Sequence, residues 1–230
     1  MNKPYRIVFD DNHLLVALKA PNVLSQGDAS GDDDLLTLLK RYIKEKYEKP
    51  GEVYLGLVHR LDRPVGGLMV FARTSKAAAR LSAALREHQI GREYLCVCEG
   101  EIEAPFSLTD ALLKDAKTNM VSVVSPGTSG AQKAVLHGEP VAARDGRTLV
   151  KIRLETGRSH QIRVQLQHFG HPLWGDNRYG RGMPGEQIAL WGYKLSLVHP
   201  TLKEKMVFYD YPKEGGFVPF AEAINEQEIL

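Results

Sequence analysis

The stretch HRLDRPVGG at positions 59–67 places residue types together in a way that suits chemistry. Asp62 sits between Arg60 and Arg63, and Gly66–Gly67 lead into the apolar run LMVFA. Nearby positive charge lowers a carboxyl pKa and keeps the group anionic at neutral pH. An anionic carboxylate can be a nucleophile in covalent catalysis. It cannot be a general acid there, and the sequence sets no second acid in a comparable setting, as a paired-carboxylate hydrolase would require. Gly66 and Gly67 permit tight backbone geometry close to a site, while Pro64 removes a donor and stiffens the turn. The plain alternative is a surface ion pair worth little.

A second concentration of reactive types lies at 144–181. Arg144, Arg147, Lys151, Arg153, Arg158, Arg163, Arg178 and Arg181 face only Asp145, Glu155 and Asp176, a net of +5 in a chain whose total is +2. His160, His168, Phe169, His171, Trp174 and Tyr179 are interleaved with them. Arginine forks that pair with phosphate, mixed with rings that stack, suit RNA or DNA; a solvated charged face is the competing reading. On a helix starting near Ser159, residues His160, Arg163 and Gln167 would share one face, and Ile162, Leu166 and Phe169 the neighbouring apolar stripe. His160, His168 and His171 make a metal site conceivable, but no carboxylate stands at ligand spacing on that face, so no metal is expected.

These residues need elements to hold them. The segments 5–9 and 14–19 read as two short strands joined through DDNH. The acidic, turn-rich stretch 21–34 reads as an exposed loop, with Asp33 or Asp34 capping a helix over 35–47. A buried strand at 67–73 leads to a helix at 76–88, capped by Thr74 or Ser75 and ended by Gly91. A strand at 92–100 would put Arg92, Tyr94, Cys96 and Cys98 on one face. Further strands are expected at 131–136, 148–155 and 187–200, a helix from Ser159 to about Phe169 stopped by Gly170, and a short helix in the tail after Pro212. Strands outnumber helices without a strict βαβ rhythm. That implies an α+β fold, a mixed and mostly antiparallel sheet flanked by helices, in a single domain over 1–230.

Composition is that of a soluble globular protein, with 43% hydrophobic and 25% charged residues. The two cysteines, Cys96 and Cys98, rule out a disulfide framework and read as small buried hydrophobes in a reducing compartment. No signal peptide and no membrane-spanning run is present, so a cytoplasmic location is expected, and nothing requires more than a monomer.

Three ordered motifs carry a resemblance that spans residues 5 to 210: HRLDRPVGGLMVFARTSKAAARL (59–81), REYLCVCEG (92–100) and LETGRSHQIRVQLQHFGHPLWGDNRYG (154–180). Together they resemble the RluA family of RNA pseudouridine synthases, and LKAPNVLSQ near the start is similar to its lysine–proline–glycine loop with the proline displaced. The resemblance implies a cofactor-free isomerase that breaks the bond between ribose and the base nitrogen of a uridine, turns the base, and rejoins it through ring carbon five. The substrate it implies is tRNA or rRNA. Asp62 matches the catalytic aspartate, attacking either the sugar or the pyrimidine ring. Tyr94 matches the tyrosine that stacks on the base, and Arg163 the arginine that pairs with the aspartate. Arg60 matches the side chain that fills the place of the flipped uridine, because stacked bases hide their reactive atoms. Leu190 resembles the apolar residue packed on the base; Arg158 and His160 of the same motif are expected at the substrate. Two departures stand out. Val65–Gly66 occupy the place of a Thr–Ser pair, and the first strand begins too early to leave room for an S4-type RNA-binding domain, so RNA affinity is expected from the catalytic domain itself.

Overall fold

The computed structural model describes residues 3–229. The chain folds as two compact units, each made of segments discontinuous in sequence. One comprises Met1–Gly91 and Lys194–Asp210, the other Arg92–Tyr193 and Tyr211–Leu230.

The first unit contains strands β1 (Tyr5–Asp10), β2 (Leu14–Lys19), the two-residue β3 (Gly56–Leu57) and β4 (Gly66–Ala72), and helices α1 (Leu35–Lys46) and α2 (Ser75–Arg86). β2 is the centre of the antiparallel run β1-β2-β4, in register from Leu14↔Ala72 to Lys19↔Gly67. Every residue of β4 is buried, which is why it reads as a continuous apolar stretch rather than an alternation. Leu14, Val16, Leu68 and Val70 pack with Ala77 and Leu81 of α2. Leu35, Leu39 and Ile43 are the inward stripe of α1, whose N-cap is Asp34, accepting the Thr37 N–H at 3.0 Å. Its far end is tied to β1, where Asp10 accepts from Lys46 and Tyr47, each at 2.9 Å, and from Arg73 at 2.7 Å.

The second unit holds most of β5 (Gly91–Glu99), with β6 (Phe106–Asp115), β7 (Met120–Val124), β8 (Gln132–Arg144), β9 (Arg147–Leu154), α3 (Gln161–His168), a 3-10 turn at Gly215–Phe220 and α4 (Ala221–Ile229). Its strand order is β5-β9-β8-β6-β7, each pair antiparallel. Leu95, Val97 and Leu149 turn to the face covered by Phe217, Phe220 and Ile224. On the opposite side Val164 of α3 packs with Leu112, Val121 and Ala134. By strand alternation Tyr94, Cys96 and Cys98 project away from Leu95 and Val97. β10 (Leu190–Val198) passes from the second unit into the first, where its end pairs with β11 (Lys205–Tyr209).

The expected α+β class with a mostly antiparallel sheet is what the chain adopts, and most of the expected elements fall within two residues of their places. Four strands have no counterpart in the expected pattern: the two-residue β3, and β6, β7 and β11, which lie on half-exposed patterns. α2 ends not at Gly91, which opens β5, but at Arg86, with His88 taking the left-handed turn at φ 56°.

Candidate functional site

The sequence-predicted residues fall in both units. In the first, the segment around Asp62 is stitched to the loop after β2. The buried Ser25 hydroxyl donates to the Leu61 carbonyl at 2.7 Å and accepts the Leu61 N–H at 3.1 Å. The Asn22 N–H reaches the Arg63 carbonyl at 2.8 Å. Lys19, wholly buried, donates its ammonium to the carbonyls of Ala20 (3.1 Å), Val23 (2.7 Å) and Arg63 (3.0 Å). The backbone on either side of Asp62 is therefore fixed by buried hydrogen bonds, while the Asp62 residue itself is half-buried. Burial pushes the Lys19 ammonium down to about 7, and Arg63 pushes the same way, while the negative charge of Asp62 pulls it back up.

The sequence signal of Lys19 is a lysine closing an otherwise apolar strand, LLVALK. Arg63 forms a surface pair with Asp32 at 2.7 Å, of the kind that contributes little. Arg60 is exposed. Val65, at the first of the two departures, is 2% exposed and its N–H closes a turn onto the Asp62 carbonyl at 3.0 Å. It is part of the core, so the valine is accounted for by packing. Gly67 stands at φ 137°, where an L side chain is strained.

In the second unit, Tyr94 is 6% exposed on β5, opposite Ile152 of β9. Leu190 is buried at the start of β10, the strand beside β5. Cys96 and Cys98 are fully buried with sulfurs 3.9 Å apart, and burial raises the Cys96 thiol well above its ordinary pKa; inert packing is their part.

Arg163 is not on an exposed polar face of α3. It is 4% exposed and clamped by Asp176, with Nε donating to Oδ2 at 2.8 Å and Nη2 to Oδ1 at 2.7 Å. Asp176 also accepts the N–H groups of Arg178 and Tyr179, at 2.9 and 3.1 Å. Burial alone would raise the Asp176 carboxyl, but Arg163 and these N–H donors bring it below the ordinary carboxylate range. The Tyr179 ring lies against the guanidinium, 5.2 Å from its centre. Its hydroxyl accepts the Val121 N–H at 2.9 Å and lies 2.7 Å from His160 Nδ1.

His160 precedes α3 at φ 52° as its N-cap, in place of the anticipated Ser159. The turn before it is held by Gln161, whose Oε1 takes the Thr156 hydroxyl and the Arg158 N–H. Arg158 is exposed and gives its Nε to the Lys133 carbonyl at 3.0 Å. The structure thus joins Arg163 and His160 through Tyr179, and adds Asp176 and Tyr179 as residues that spacing alone did not single out. His171 takes a separate partner, the Glu99 carbonyl, at 2.9 Å.

The solved structure of human RNA pseudouridylate synthase domain containing 4 superposes with a TM-score of 0.76 at 20% identity, covering 95% of this chain and 92% of the other. Human RNA pseudouridylate synthase domain containing 1 gives a TM-score of 0.67, also at 20% identity, over 96% of this chain and 94% of the other. The fold is that of a pseudouridylate synthase domain. A family model described as RNA pseudouridylate synthase matches residues 1–168. Ribosomal large subunit pseudouridine synthase D of Zymomonas mobilis is 33% identical over 232 residues, 99% of this chain and 72% of that protein. The uncharacterized RNA pseudouridine synthase YhcT of Bacillus subtilis is 35% identical over 206 residues, 87% of this chain and 66% of that protein. The chain belongs to the RNA pseudouridylate synthase family, isomerases that act on RNA, as the motif resemblance implied. Among the described residues, no helix is long and apolar enough to cross a membrane.

Proposed function

We propose that the chain converts particular uridines of ribosomal RNA to pseudouridine, with Asp62 as the nucleophile. The name of the Zymomonas mobilis relative supports ribosomal over transfer RNA. The observation that carries the assignment of Asp62 is its setting. The backbone at Leu61 and Arg63 is locked by Ser25, Asn22 and Lys19, which sets the half-buried Asp62 on a fixed frame beside a buried ammonium. Held this way, a nucleophile needs little reorganisation when it reacts.

In this reading Asp62 attacks the uridine at the sugar or at the pyrimidine ring. The bond between ribose C1′ and N1 breaks, the base turns, and C1′ joins C5; the hydrogen on C5 leaves and N1 ends protonated, so atoms and electrons balance without a cofactor. The target is first flipped out of its stack, with Arg60 filling the gap, Tyr94 stacking on the base and Leu190 packing against it. Arg163 is proposed as the charge partner of the nucleophile. The Nε–Nη2 edge of its guanidinium faces Asp176, so an acceptor would be met by its other edge, since the fork carries five donors. Arg158 and His160 are proposed to flank the RNA.

The test is Asp62→Asn with purified protein and ribosomal RNA from cells lacking this gene, read by chemical mapping of pseudouridine. Conversion should vanish while RNA binding stays within about twofold, because a nucleophile and not a phosphate contact is removed. A variant that still converts the target uridine disproves the nucleophile assignment.

A further inference from the structure

The outward face of the ribbon β10–β11 plays no part in the reading above. β11 pairs with the end of β10 in the register Lys194↔Tyr209, Ser196↔Val207 and Val198↔Lys205. The residues between them, Leu195, Leu197, Met206 and Phe208, turn the other way and pack into the core of their unit. An antiparallel ribbon with one face in a core normally shows water a polar face. This one is mixed: beside Lys194, Ser196 and Lys205 it shows Tyr209, 52% exposed, Val207, 48%, and Val198, 43%. Folding does not account for these three exposed apolar groups side by side on one strand pair, and clustered exposed apolar groups mark interaction sites.

Charge indicates what the patch meets. The segment 194–209 carries Lys194, Lys203 and Lys205 against Glu204 alone. Lys194 Nζ lies 5.7 Å from the centre of the Tyr209 ring, and Lys205 stands directly across from Val198. Asp210, next along the chain, is engaged by Arg6. A second copy of this chain fits less well, because lysines on a strand at the sheet edge oppose edge-to-edge pairing. A ring and β-branched side chains lying between ammonium groups match an unpaired nucleic-acid strand, whose bases stack on the ring while its phosphates meet the cations.

We propose that this face binds an unpaired stretch of the substrate RNA beside the target uridine, with a base on Tyr209 and phosphates at Lys194 and Lys205. The proposal rests on the reading that the chain acts on RNA. It assigns part of the RNA affinity to residues 194–209, outside the arginine-rich segment 144–181.

The experiment uses the full chain and overlapping transcripts that tile large-subunit ribosomal RNA. Binding is followed by fluorescence anisotropy between about 50 and 200 mM salt, and conversion by pseudouridine mapping. Tyr209→Ala should weaken binding of the converted transcript by about tenfold or more, and Tyr209→Phe should restore most of it, since stacking needs the ring and not the hydroxyl. Lys194→Gln with Lys205→Gln should lower the slope of log K against log salt by about 1.4, at about 0.7 per phosphate lost. Tyr209 and Lys205 are exposed and Lys194 half-buried, and unchanged thermal melting certifies the fold. Tyr209→Ala and the double lysine variant binding like the parent overturns the proposal. So does a change in sedimentation without a change in RNA affinity, which would assign the face to a second copy. A parent protein that neither binds nor converts any transcript fails at the reading of function instead, which keeps the two outcomes apart.

Discussion

At the scale of single residues, two buried ionic arrangements govern how the protein responds to pH. Asp176, 1% exposed, is held below its ordinary pKa by Arg163 and two backbone donors. A carboxyl depressed in the fold stabilises fully above its unfolded pKa of about 3.9, and that contribution is lost as pH falls through the lower folded value. Asp176→Asn should therefore shrink the loss of stability that urea titrations read as pH falls from about 5 toward about 2. At neutral pH it should cost about 3–5 kcal/mol, because the Arg163 charge is left buried. Lys19 works in the opposite direction. Its folded pKa of about 7 lies below the roughly 10.4 of an unfolded lysine. The unfolded chain thus binds more protons between those values, and stability rises with pH across that window. The difference in unfolding free energy between the parent and Lys19→Met should move in favour of the parent from pH 7 to 10. A flat difference would mean that the ammonium is not desolvated.

At the scale of elements, the sequence was readable where one pattern dominated. The all-buried β4 announced itself as an unbroken apolar run, and α1 and α2 by apolar spacing and by the caps Asp34 and Thr74. β6 escaped because Asp110 breaks the alternation of Phe106, Ser107, Leu108 and Thr109 at an inward position, and β7 because MVSVV is five residues long with a single polar one. α3 was placed correctly, but its polarity was misjudged. Residues from Gln161 through Leu166 are all buried, polar ones included, because Asp176 meets Arg163, Asp110 the Gln165 amide N–H and the Val135 carbonyl the Gln161 amide N–H. The pairing of Asp176 with Arg163, 13 residues away, and of Lys19 with the Arg63 carbonyl, 44 away, lies beyond the three-to-four and two-residue spacings of helix and strand. Gly67, by contrast, was flagged from its place after Asp62, and its φ of 137° gives the physical ground. Gly67→Ala should destabilise by about 1–3 kcal/mol, read as a lower urea midpoint with an unchanged slope. A variant as stable as the parent would show that β4 tolerates a side chain at its entry.

At the scale of the whole molecule, a net charge of +2 hides how the cations are used. Of the eight basic residues between 144 and 181, Arg163 serves the interior, where it is bound to the 1% exposed Asp176. Arg147 is half-buried against the Trp174 ring, 3.4 Å from its centre. Arg158 and Arg178 are exposed, and each gives one N–H to a backbone carbonyl, of Lys133 and Asn119 respectively. That tether orders the side chain while leaving the charge in solvent, a setting in which a phosphate can be met at low entropic cost. Counterion release makes the two uses separable, since only a cation that contacts phosphate adds to the salt slope of binding, by about 0.7–0.9. Arg158→Gln and Arg178→Gln should each flatten the slope by about that amount while conversion at saturating RNA persists. Arg163→Gln should leave the slope as it is and depress conversion, with circular dichroism confirming that the variant still folds. If Arg163→Gln flattens the slope and Arg158→Gln does not, the division between interior and phosphate-facing arginines drawn from burial is the wrong way round.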